Sequence, residues 1–112
     1  MVKPQQNNER LLESERFLLK PKSGGGQLRY EVWGLVNGKK TQVTRYNIAY
    51  INPLVFSGDN GRVLGFDNAH GYHHRHFMGQ VEAVEFESYE ATAERFQSEW
   101  SALVQSIMKD AK

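Results

Sequence analysis

The chain contains no cysteine, so disulfides, thiol nucleophiles and thiolate metal sites are excluded together. Any chemistry falls to oxygen, imidazole or guanidinium groups. No apolar run reaches the length of a membrane span, and the opening MVKPQQNNERLLESE is polar where a secretory signal would be apolar. Internal repeats and low-complexity tracts are absent as well. So is a large charge of one sign: the formal net charge is +1, too little for a domain whose main work is to neutralise many phosphates. At 112 residues these absences lead us to expect one soluble, cytoplasmic domain over 1–112, with residues 1–8 disordered, no membrane partner and no cofactor.

What charge there is has a direction. Residues 1–62 hold ten Lys/Arg and five Asp/Glu, and residues 63–112 hold four and eight, so a basic front half precedes an acidic back half.

Hydrophobic periodicity describes an α+β protein with an antiparallel sheet of about four to six strands and a C-terminal amphipathic helix packed on one face. Between Leu11 and Lys20 the apolar residues fit a short helix leading into a strand, and periodicity does not decide. Pro21 and 23-SGGG-26 read as a flexible linker. Leu28, Tyr30, Val32 and Val36 alternate with polar neighbours, and Asn37-Gly38 predicts a type I′ hairpin returning through 41-TQVTRYNIAYI-51. Tyr46, Ile48 and Tyr50 share one face of that strand, Tyr46 and Tyr50 as half-buried aromatics. Asn52-Pro53 ends it. A second hairpin is expected between 54-LVF-56 and 62-RVLGF-66, and one more strand at 81-VEAVEFE-87. Ser88 caps a helix whose stripe Tyr89, Ala93, Phe96, Trp100, Leu103, Val104 and Ile107 faces the sheet, with Glu94, Gln97, Ser98 and Glu99 turned outward.

All four histidines, His70, His73, His74 and His76, fall in 67-DNAHGYHHRHF-77. Extended backbone from Tyr72 onward points His74 and His76 to one side and His73 and Arg75 to the other. Three chemistries could use this window. In metal-independent RNA cleavage His74 and His76 form the proton-transfer pair, Arg75 holds phosphate and Asp67 orients a ring. Imidazole suits both proton roles because its ordinary pKa of about 6.5 keeps both forms accessible. A zinc or nickel site on the same imidazoles is the second, although the spacing matches no standard finger or zincin pattern, so no metal ligand is assigned. The third is binding without turnover, a recognition loop for nucleic acid or protein. Asn68, His70 and His73 are the flanking substrate-binding candidates, joined by Arg45 and Tyr50, which with Arg29 would form an RNA surface if exposed. Against all three stands the plain alternative of Asx turns, a Gly71 turn and solvated imidazoles.

The segments 46-YNIAYI-51 and 66-FDNAHGYHHRH-76, with the capped terminal helix, resemble the TumE-type family of small toxin–antitoxin proteins. The similarity covers roughly Leu11 to Ile107. Its specific part is an aromatic-Asp-Asn opening, a glycine and a closing His-x-His, matched by Phe66, Asp67, Asn68, Gly71, His74, Arg75 and His76. The resemblance implies a toxin acting on RNA or translation and a helix-turn-helix antitoxin as partner. A homo-oligomer stays open.

Overall fold

The computed structural model describes residues 9–110, so the expectation for residues 1–8 lies outside the described residues. Six strands form one antiparallel meander in which each strand pairs with its sequence neighbour: β1 (Arg10–Leu18), β2 (Gln27–Asn37), β3 (Lys40–Ile51), β4 (Arg62–Asp67), β5 (His74–Phe77) and β6 (Gln80–Ala83). Helix α1 (Tyr89–Asp110) lies across one face. This is the expected α+β arrangement. No helix among the described residues is long and apolar enough to cross a membrane.

Alternation decides which residues meet the helix. Leu28 and Val32 of β2, Tyr46, Ile48 and Tyr50 of β3, and Leu64 and Phe66 of β4 are buried beneath Phe96 and Val104 of α1. The α1 stripe falls on this core as its spacing predicts, Trp100, Leu103 and Ile107 being partly buried. Ser88 Oγ accepts from Ala91 N at 3.0 Å, satisfying one of the amides a helix start leaves open. Glu99 differs from its expected outward position. It accepts from Arg75 at 2.7 Å and from Arg95 at 2.7 Å, which ties the helix to β5. Burial raises the Glu99 carboxyl, but the Arg95 and Arg75 bonds outweigh it and hold the group below the usual carboxylate range.

Several local expectations are corrected. Residues 10–18 are strand alone, with a bulge at Leu12 that interrupts the strand's alternation. The β2–β3 turn is moved by one residue: Asn37 pairs with Lys40, and Gly38, at φ +65°, takes the positive dihedral. Asn37 therefore closes the ladder and is not a turn centre. Residues 54–56 are not a strand. Asn52 Oδ1 accepts from Leu54 N at 3.1 Å and curls the chain after Pro53, so β3 pairs with β4 itself. The last strand stops at Ala83, and Val84–Phe86 fold over the sheet end, with Phe86 stacked on His73. The glycine run is more than a linker, since the carbonyls of Gly24 and Gly25 accept from Asn52 and from the Tyr50 hydroxyl.

Candidate functional site

The face turned away from the helix is open. Across it the ladders align Glu31 with Asn47, Asn47 with Asp67, and Asp67 with His74. His76 stands opposite Gly65, on the same face, one step along β5. The two imidazoles therefore share a side, as extended backbone requires, with ring centroids 5.4 Å apart.

Asp67 joins them. It is buried (7% exposed) at the end of β4. Its Oδ1 accepts from Ala69 N at 3.1 Å, the Asx turn that starts the loop, and faces His74 Nδ1 at 3.2 Å. Its Oδ2 is 2.8 Å from His76 Nε2. His74 is itself only 5% exposed, which removes the reading of solvated imidazoles for this pair.

The guanidinium beside this group is Arg62, not Arg75. Arg62 Nη2 donates to His76 Nδ1 at 3.1 Å and Nη1 lies 3.5 Å from Asp67 Oδ2, while Nε and Nη2 hold Asp59. Arg75 sits on the helix face, bound to Glu99 and Glu82, so its expected phosphate role is corrected. The cause is a bulge. Tyr50 pairs with Leu64 but Ile51 pairs with Arg62, leaving Val63 as an extra residue. Val63 and Leu64 both enter the core, and Arg62 is thrown onto the open face that strict alternation would deny it. The sequence carries a signal of this: Val63-Leu64 is an adjacent apolar pair inside an alternating strand, and Arg62 stands in phase with Leu64 and Phe66.

Gly65 makes room for that arginine. A Cβ at Gly65 would lie 2.8 Å from Arg62 Cδ and 3.2 Å from Ile48 O. Gly65→Ala is expected to leave the protein folded at a cost of about 1 kcal/mol, since the crowded atom belongs to a flexible side chain, and to push Arg62 off His76. Imidazole ¹⁵N spectra check this: the His76 Nδ1 signal should move, and an unchanged signal would refute the role given to the glycine.

Proton positions follow from donors and acceptors. Arginine only donates, so His76 Nδ1 carries a lone pair and its neutral ring gives the Nε2 proton to Asp67. His74 Nδ1 faces two acceptors, Asp67 O and Oδ1, each at 3.2 Å. It carries a proton, and in the neutral ring the lone pair lies on Nε2. Ligand atoms of Asp67, His74 and His76 lie within 4.8 Å of one another, a spacing that would suit a cation. A metal bound there would displace the imidazole protons that now face Asp67. Metallation through those nitrogens would also leave His76 Nδ1–H pressed against an arginine N–H. The same three side chains can thus pass protons among themselves or, with Arg62 displaced from His76, hold a cation.

The other expected residues scatter. His73 is on the helix side, 2.9 Å from the Tyr46 hydroxyl and stacked on Phe86 with centroids 3.9 Å apart. Burial first, and then the neighbouring His74, push its pKa down. Tyr46 is pushed up to about 12 by burial and then by the charge of Asp67. Neither group reaches the open face. Asn68 spends its amide on backbone, Oδ1 accepting from Tyr46 N at 3.1 Å and Nδ2 donating to Thr44 O at 2.8 Å, so it is a brace. His70, at φ +63° in the exposed loop, stays outside the cluster. Tyr50 is fully buried with its hydroxyl bonded to Gly25 O and Asn52, which corrects its place on an RNA surface. Arg45 is on the open face, over the Trp33 ring at 4.5 Å and paired with Glu9 at 3.1 Å.

Compared with protein-family models, curated proteins and solved structures, the chain shows no significant match.

Proposed function

We propose that the open sheet face is a metal-independent ribonuclease site of a toxin acting in the cytoplasm, with a helix-turn-helix antitoxin as its partner. The chemistry rests on the geometry, and the toxin context and partner rest on the resemblance of the Asp-Asn…His-x-His segment. One observation carries the chemistry: His74 Nδ1 faces Asp67 O and Oδ1, each at 3.2 Å, an arrangement that in the neutral ring turns Nε2 into the base. On this reading His74 removes the 2′-hydroxyl proton, the 2′-oxygen attacks the adjacent phosphorus, and the 5′-oxygen leaves with a proton from solvent. Arg62 faces the charge that develops on the phosphoryl oxygens. His76, with both nitrogens engaged, positions Asp67 and Arg62 and is not a second free acid.

The surrounding charge agrees with a site that takes few phosphates. Of the arginines around the site, Arg29 and Arg45 are each paired with a carboxylate, Glu31 and Glu9. A polyanion gains little from cations already neutralised.

The test is inducible expression of the wild type and of His74→Ala, with growth and total RNA followed together and folding checked by circular dichroism. Growth arrest with RNA loss in the wild type alone, and cleavage by the purified protein unchanged in excess chelator, is the expected result. Equal growth with intact RNA in both strains would favour a recognition module. Cleavage lost to chelator and restored by one equivalent of a divalent cation would favour the metal arrangement.

A further inference from the structure

Two shallow depressions of about 240 and 210 Å³ lie on the open face, and both are lined by Glu31 and Asn47. The second also takes in Trp33, Arg45 and Asp67. Glu31 and Asn47 are direct cross-strand partners, so their side chains start about 5 Å apart, close enough to read one base edge together. Asn47 pairs in turn with Asp67, which places this pair one strand spacing from the proton-transfer group.

We infer that Glu31 and Asn47 form a base-reading site selective for guanine. The statement deepens the ribonuclease reading, and its cleavage step rests on that reading. A carboxylate has acceptors only and is satisfied best by two adjacent donors. Among the RNA bases guanine alone presents two, N1–H and the N2 amino group, side by side. Adenine and cytosine offer one amino group beside an acceptor, and uracil one N–H between two acceptors. The Asn47 amide donates to guanine O6, completing the edge.

The carboxylate is available for this. Its contact with Arg29 is a single 3.3 Å bond between side chains 44% and 41% exposed, the kind of surface pair that holds a side chain weakly. A stacking plane stands beside it. Arg45 lies over Trp33 and is fixed there by Glu9 through Nε and Nη2, so its planar guanidinium is held for a base to stack upon, the mode by which single-stranded RNA is commonly bound.

The experiment is titration of the wild type and of Glu31→Gln with the four nucleoside 3′-monophosphates, followed by amide chemical shifts. All four carry the same phosphate, so differences report the base. Guanosine 3′-monophosphate should bind about tenfold more tightly than the others, and Glu31→Gln should erase that preference while the dispersed spectrum shows the fold intact. Equal binding of the four, or a preference that survives Glu31→Gln, would overturn the inference. The titration needs no turnover, so the two readings fail separately. Guanine preference without RNA cleavage would leave the base site standing and remove the ribonuclease, and cleavage without guanine preference would do the reverse.

Discussion

On the ribonuclease reading, Asp67→Asn should lower RNA cleavage by about 10²–10⁴-fold, although the substitution exchanges one oxygen for an NH₂ group. The loss comes from donors facing donors. In the wild type both carboxylate oxygens accept: Oδ1 meets Ala69 N–H and His74 Nδ1, and Oδ2 meets His76 Nε2 and Arg62. An asparagine keeps one acceptor and replaces the other with an amino group. If the amino group takes the Oδ1 side, His74 must move its proton to Nε2 and ceases to be a base, the wrong-tautomer effect that lowers hydrolytic rates about 10⁴-fold elsewhere. If it takes the Oδ2 side, His76 must present a lone pair there and an N–H to Arg62, and the arginine loses its place. Either way the charge that stabilises an imidazolium at His74 is gone. Single-turnover cleavage measured beside His74→Ala is the check, and a rate within tenfold of wild type would show that Asp67 does not orient His74. Stability should fall by about 1–3 kcal/mol from the buried groups left unpaired, and an unfolding curve separates that loss from the catalytic one.

Phe96→Ala should cost about 3–5 kcal/mol of stability, a large share of the 5–15 kcal/mol a domain of this kind has. Phe96 is fully buried on α1, and its ring meets Tyr30 edge-on at 5.7 Å and Phe66 at 6.3 Å. It therefore pins the helix to β2 and β4 at once. Val104, the other buried apolar anchor of the stripe, is smaller and lies two turns further on, so it offers little compensation for the cavity. The urea midpoint should drop accordingly, and a change below about 1 kcal/mol would mean that the helix is held mainly by the Arg75–Glu99 pair. The same measurement on Arg75→Ala should show a smaller loss, because that contact is partly exposed.

The strands whose apolar residues alternate without interruption were legible from sequence, and so was the helix, because burial on one side imposes a period that survives any tertiary detail. The misreadings cluster where the chain inserts one residue. At Leu12 a bulge breaks the alternation of β1, with Leu11 exposed and Leu12 packed on the core, and the broken pattern mimics a helical one. At Val63 another bulge reverses the phase of Arg62 and hides the arginine that belongs to the site. Facing of His74 and His76 was readable from the pleat alone. The partner of Arg75 was not, because Glu99 approaches from the helix, 24 residues away, and no local pattern encodes it. Tyr50 shows the opposite case: alternation places it across the sheet from Arg29 and Arg45, so it could not share a surface with them, and the core together with Gly25 and Asn52 buries it.

The meander order of the sheet has a kinetic meaning as well. Every ladder joins strands adjacent in sequence, so each closes a short loop and none waits for a distant segment to return. Such local contacts favour fast folding. Arg62, Asp67, His74 and His76 all belong to the single hairpin β4–β5, and their mutual bonds involve no residue of α1. Asp67, His74 and His76 are thus brought together by the closing of one hairpin, Arg62 joins them once β4 pairs with β3, and the helix that supplies much of the stability need not be in place for these parts to find each other.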